Sequence, residues 1–221
     1  MLMSDSAQPP LATPRGKRRT QAQRTEETRR RILDAGVTML ATKGYAGFRT
    51  AEVAEAAGVS RGAQTHHFPS KDDLVLAVVE HLFRSAADLG RKRAQRVKSV
   101  DGAIQTLLVD SQEFYFSELF LVAVDLAIQG RSQPGVGAAV QQISAASRLP
   151  VEASWKAAMI EAGLPAHEAE DIVWLTTSLV RGIAVRRLWQ DDPRRFSQLF
   201  QKWRRMVAAY LQSRVAKGAT N

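Results

Sequence analysis

Two very short helical patterns joined by Ala57-Gly58-Val59-Ser60 constrain this chain more than any other stretch. Val53, Ala54 and Ala57 line the inner face of the first pattern, and Gly58 ends it. The second follows Ser60 and stops before Pro69, because proline disfavours a helical residue ahead of it. A helix-turn-helix needs a turn glycine able to take positive φ, an apolar residue after it to pin the angle, and a small residue where the helices touch. Gly58, Val59 and Ala54 meet those needs. Arg61, Gln64, Thr65 and His66 then supply donors and acceptors on the second helix, while Ala63 and Phe68 face inward. An ordinary three-helix subdomain would tolerate the same turn, so its meaning depends on what surrounds it.

Charge is the first such context. Lys and Arg number 31 against 22 Asp and Glu, a formal net charge of +9. That excess favours a polyanionic partner, either nucleic acid or an anionic membrane surface. A membrane span is not expected: the longest apolar run, Leu119–Val124, is stopped by Asp125, far short of the roughly 18 residues required. No apolar segment backs the N-terminal positive charges, so no secretory signal is expected. The chain has no cysteine, which excludes a disulfide framework, a Cys-ligated zinc site and a thiol nucleophile, and suits a reducing cytoplasm. Residues 1–24 carry Pro9, Pro10 and Pro14 with Arg15, Lys17, Arg18, Arg19 and Arg24. They read as a flexible basic arm, either a solvated leader or a segment adding phosphate or minor-groove contacts.

From residue 25 onward the pattern is helical throughout. Ile32, Ala35/Gly36 and Met39/Leu40 recur at three-to-four spacing and predict a helix from about Glu26 to Lys43, stopped by Gly44. Ser70-Lys71-Asp72-Asp73 is a capped helix start. The helix it opens carries Leu74, Val75, Val78, Val79, Leu82 and Phe83 on one side, to about Arg93. Further helical patterning lies near 101–116, 118–130, 135–162, 166–189 and 193–215, and Pro150 is expected to kink or break its segment. Strand signals and internal repeats are absent from the sequence. The expectation is an all-α chain of nine or ten helices: an arm (1–24), a helix-turn-helix domain (25–70) and a larger helical domain (71–221).

Several stretches together resemble the TetR family of bacterial repressors. They are Arg29-Arg30-Arg31-Ile32-Leu33-Asp34-Ala35-Gly36, Gly44-Tyr45, Val53-Ala54-Glu55-Ala56-Ala57-Gly58-Val59-Ser60-Arg61-Gly62 and His67-Phe68-Pro69-Ser70-Lys71-Asp72-Asp73-Leu74. The resemblance spans about residues 25–85, and beyond it only length and helical character match. It implies a one-component DNA-binding regulator, by family default a repressor, that grips a pseudo-palindromic operator as a homodimer. By the same analogy Arg49 and Thr50 hold the phosphate backbone, and Ser60 caps the recognition helix and can touch phosphate. Arg61, Gln64 and His66 read base edges, and Gly62 lets the helix approach the groove floor. Lys71 meets a phosphate at a helix N-terminus. His67 is expected to pack locally, with a base contact as the lesser alternative. Thr65 departs from the family, which usually carries a phosphate-contacting tyrosine there.

The larger domain is expected to hold a ligand and a dimer interface. An apolar cavity with a few polar groups is how small-molecule sites are usually made. Tyr115, Trp155, Met159 and Trp174, with polar Gln112, Thr177, Ser178 and Arg181, are the candidate lining, and simple core is the alternative for each. Arg181, in an otherwise apolar helix, needs an anionic partner, with a protein carboxylate preferred over an acidic ligand. The last two helices supply the candidate dimer face. Its residues are Val180, Ala184 and Leu188, then Phe196, Leu199, Phe200, Trp203 and Val207. No P-loop, dinucleotide fingerprint or nucleophile elbow is present, and the four histidines lack metal-ligand spacing, so neither enzyme, cofactor nor metal is expected. A helix-turn-helix protein without an effector, controlled by a protein partner or acting architecturally, is the second reading, favoured by a solid middle core. A membrane-surface module is the third, and it has no use for a fixed angle at Gly58.

Overall fold

A computed structural model describes residues 20–129 and 134–218, which form nine helices and no strand. They are α1 (Gln21–Gly47), α2 (Thr50–Ala56), α3 (Arg61–His67), α4 (Lys71–Ala94), α5 (Val100–Tyr115), α6 (Glu118–Gln129), α7 (Pro134–Glu161), α8 (Ala166–Arg186) and α9 (Pro193–Gly218). Helix α1 starts five residues before the expected Glu26. Thr20 and Gln23 form a reciprocal capping box there, which satisfies two of the orphan amides of a helix start. Residues 21–24, read as part of the arm, are therefore helical, while Arg15, Lys17, Arg18 and Arg19 lie outside the described residues. Gly44, at φ 61° and ψ −177°, interrupts α1 where a stop was expected.

Three further starts are capped by serine. Ser60 accepts from the Ala63 amide at 3.1 Å, Ser99 from Gly102 at 3.2 Å, and Ser70 forms a second capping box with Asp73. Helix α7 contains Pro150 yet is not broken by it. Pro150 and Ala146 both lie on the exposed side, so the carbonyl deprived of its amide donor there can be hydrated.

One apolar core runs from Ile32 and Leu40 of α1, through the α4 face expected from the sequence, to Val207 of α9. Helix α4 is central to it. Its N-terminal half buries Leu74, Val75, Val78, Val79 and Phe83, and its C-terminal half turns small, with Ala87, Gly90 and Ala94 buried. A Cβ at Gly90 would lie 2.9 Å from Val151 of α7 and 3.0–3.1 Å from the Asp110 carboxylate. Only a glycine lets α4 come this close to both neighbours. Among the described residues, no helix is long and apolar enough to cross a membrane.

Candidate DNA-reading head and ligand cavity

The turn between α2 and α3 has the geometry its residues call for. Gly58 sits at φ +62°. The Val59 amide reaches back to the Ala54 carbonyl at 3.0 Å, and the Gly58 amide to Glu55 at 2.9 Å, which closes the end of α2 with a left-handed residue. Arg31 of α1 donates through Nη2 to the carbonyls of both Ala57 and Gly58. A Cβ on Gly58 would meet that same Nη2 at 2.6 Å. The turn is thus pinned from outside by α1, a role the sequence does not announce, because the partners are 26 and 27 residues apart.

Helix α3 presents Arg61, Gly62, Thr65 and His66 together on one exposed face. Gln64 does not join them, and its expected base-reading role is corrected. It is 3% exposed, and its side-chain amide donates to the Phe68 carbonyl at 3.0 Å. Buried amides are held by such bonds, and here the bond closes the end of α3. His67 is half-buried against Phe68, whose ring Arg29 overlies at 5.7 Å. Burial first, then the charges of His66 and Arg29, push its imidazole below the ordinary histidine value, with Glu26 opposing.

Arg49 precedes α2 and Lys71 opens α4. Arg49 donates to the Ala46 carbonyl at 2.7 Å, and Lys71 Nζ to the Tyr45 carbonyl at 2.7 Å while lying 4.1 Å over the Tyr45 ring. Tyr45 in turn donates to Asp72 at 2.6 Å. Burial and then the nearby Arg49 charge lower the Lys71 pKa, with Asp72 opposing. Two cations at helix starts, Arg49 before α2 and Lys71 in the first turn of α4, are groups beside which an anion is favoured. Thr50 is half-buried in the first turn of α2.

A cavity of about 350 Å³ opens among α4, α5, α6, α7 and α8. Of the expected lining, Tyr115, Trp174, Thr177, Ser178 and Arg181 are present. Trp155 and Met159 are corrected: both are fully buried core on the inner side of α7. Gln112 is corrected too, its amide turned back onto the Leu108 carbonyl at 3.0 Å. Thr177 donates within its own helix to Val173 at 3.0 Å, and Trp174 is 67% exposed beside the opening. Arg181 Nη2 bonds the Tyr115 hydroxyl at 3.0 Å and lies 3.8 Å from Glu152, which is the protein carboxylate expected for it.

Arg148 of α7 is the wall residue that the sequence reading missed. Its guanidinium lies 4.2 Å over the Phe114 ring and 3.8 Å from Asp110 Oδ2. Asp110 is buried and accepts from Arg93 of α4 at 3.3 Å, while Arg93 also pairs with Glu113 at 2.6 Å. Burial pushes the Asp110 carboxyl above the ordinary carboxylate range, against the pull of Arg148 and Arg93. An arginine as the one charge in the otherwise mostly apolar stretch Ala145–Val151 is the same signal that flagged Arg181.

The expected dimer residues divide. Val180 and Ala184 of α8, and Phe196, Phe200 and Val207 of α9, are buried within this chain and are corrected to intramolecular core. Phe196 and Phe200, for example, pack on Phe116. Trp203 is half-buried and donates to Thr176 at 3.0 Å, and Leu199 is half-buried. Leu188 is 62% exposed, and Trp189, Leu175 and Met206 are also exposed.

A helix-turn-helix head carried on a larger helical body with an internal cavity defines a class of DNA-binding transcriptional regulators. Residues 32–78 match the profile of the bacterial regulatory proteins, tetR family. The chain is 43% identical over 183 residues to the HTH-type transcriptional regulator CymR of Pseudomonas putida, covering 83% of this chain and 90% of that one. In fold it is similar to a TetR-family transcriptional regulator from Mesorhizobium loti, with TM-score 0.66, 20% identity, and 86% and 98% of the two chains covered. It is likewise similar to FadR from Bacillus subtilis in complex with stearoyl-CoA, with TM-score 0.55, 14% identity, and 81% and 97% covered. The chain belongs to the TetR family of bacterial transcriptional regulators.

Proposed function

We propose that this regulator is a cytoplasmic repressor that binds a pseudo-palindromic operator as a homodimer, without catalysis, and is released when a small molecule enters the cavity. The position of α4 carries this reading. Lys71 at its start is a phosphate candidate next to the helix-turn-helix, Phe83 at its middle is cavity wall, and Arg93 near its end holds Asp110. A close-packed interior does not deform continuously, so a ligand that displaces Phe83 is expected to shift α4, and the reading head packed on it. The FadR neighbour was solved with a ligand bound, which agrees with an effector-taking body on this fold. The division into a head (25–70) and an effector and dimer body (71–221) follows from these roles.

Arg61 and His66 are the base-reading candidates on α3, with Gly62 permitting close approach. Arg49, Thr50, Ser60, Thr65 and Lys71 are the phosphate candidates. The exposed apolar residues Leu175 of α8, Leu188 and Trp189 in the turn after it, and Met206 of α9 are the surface a second copy would cover. Arg61→Ala is expected to weaken specific binding by about 1–3 kcal/mol and to relax sequence preference at one base pair per half-site. Competition with a panel of altered operators would measure it, and uniform weakening across the panel would reassign Arg61 to phosphate. Lys71→Ala should weaken binding to every sequence and lower the salt slope by about one unit per reading head, seen in a titration from low to high salt.

The decisive experiment is salt-dependent retardation of the DNA upstream of the protein's own gene. No retardation by the purified protein would refute the reading. Retardation that no small molecule relieves would favour control by a protein partner.

A further inference from the structure

Arg148 is out of balance with its surroundings. It is 7% exposed, and none of its three guanidinium nitrogens has a hydrogen-bond partner among the described residues. Among the described residues its ion-pair partner is Asp110, 3.8 Å away and too far for a hydrogen bond, and Asp110 accepts from Arg93. Asp110 Oδ2, the oxygen nearer Arg148, is itself buried without a donor. Leaving a buried cation short of acceptors is costly, and arginines so placed ordinarily have carboxylates on their donor forks. Arg148 also lines the cavity, stacked on Phe114, with Phe83, Tyr115, Phe120 and Val124 forming apolar wall around it. Arg181, on the same cavity, already has Tyr115 and Glu152. The volume of about 350 Å³ is near the lower end for ligand sites.

We propose that Arg148 is the anion-binding residue of this cavity, and that the effector is a compact organic acid. Its carboxylate bonds the Arg148 guanidinium, and its apolar body lies against Phe83, Phe114 and Phe120. The inference rests on the cavity being the effector site. It also gives the ligand a contact near α4, because the acid competes with Asp110 for Arg148 and Asp110 is otherwise bonded to Arg93.

Matched pairs test it by calorimetry on the full chain: hexanoate, benzoate, phenylacetate and cyclohexanecarboxylate, each against its carboxamide. Wild-type protein is expected to bind at least one acid about tenfold or more tighter than its amide. Arg148→Gln leaves the buried Asp110 with Arg93 but without Arg148 and risks the fold. The double variant Arg148→Gln/Asp110→Asn keeps the charge balance, and it should lose the acid preference while keeping the wild-type far-UV spectrum. Arg148→Lys should retain part of the preference, and Arg181→Gln most of it. Equal binding of acid and amide, no acid bound at millimolar concentration, or preference retained in the double variant would overturn the proposal. Acid binding that leaves DNA retention unchanged would support the Arg148 site and remove the release step from the function proposed above.

Discussion

Replacing Asp110 by alanine is expected to destabilise the protein by about 3–5 kcal/mol, read as a lower urea midpoint with the slope unchanged. Asp110 is buried, lies 3.8 Å from Arg148 and accepts from Arg93 at 3.3 Å. Its own charge is strained by burial, since its carboxyl is pushed above the ordinary range. Removing it therefore relieves one desolvated charge, but it leaves Arg148 buried with no anion at all, and the second effect is the larger. Asp110→Asn should cost less, because an amide oxygen can still accept from Arg93. Glu113→Ala is the control: Glu113 is half-exposed and pairs with the same arginine at 2.6 Å, so its loss should cost at most about 1 kcal/mol. Equal costs for Asp110→Ala and Glu113→Ala would mean that the buried cluster contributes nothing special to the fold.

Gly58→Ala is expected to cost about 2 kcal/mol of stability and to impair DNA binding beyond that loss. A left-handed backbone costs an L-residue about 1–2 kcal/mol, and Gly58 is held at φ +62° by the bonds that close α2. The added methyl would meet Arg31 Nη2 at 2.6 Å. The arginine end can swing away, but only by releasing the Ala57 and Gly58 carbonyls, and the angle between α2 and α3 is then set by packing alone. Arg31→Ala separates the two contributions. In that background Gly58→Ala should cost only the backbone strain, whereas an unchanged cost would show that the guanidinium clash is not felt. Retardation assays on the four proteins of this cycle read the functional share.

Much of this fold is written in local chemistry. Ser60 and Ser70 cap helices, Gly44 and Gly58 end them, and the α4 stripe faces the core, because caps, turns and helical period each depend on residues within one or two turns. The early start of α1 was legible in the same terms, since Thr20 and Gln23 are a capping box inside a segment whose prolines and arginines suggested an arm. The exposure of Arg61 and His66 on α3 was legible, but the burial of Gln64 was not. In a helix of seven residues two turns give too little periodicity to separate the groove-facing side from the core, and the bond to Phe68 decided it.

The same limit applies more strongly in the body of the molecule. The apolar stripe of α9 through Phe196, Phe200, Trp203 and Val207 is plain in the sequence, but helical period alone does not say whether such a stripe faces this chain's own core or a second copy. Packing took Val180, Phe196 and Phe200 inward and left Leu188 and Trp189 outside. Cavity membership was equally out of reach, because Trp155 and Tyr115 are alike in sequence terms, and only the crossing of five helices puts one in the wall and the other in the core. The chain's pattern settled which segments are helices, where they start and stop, and that a reading head is present. Which polar groups are left without partners was settled by long-range packing, since a hydrogen-bond deficit such as that of Arg148 exists only once distant segments have met.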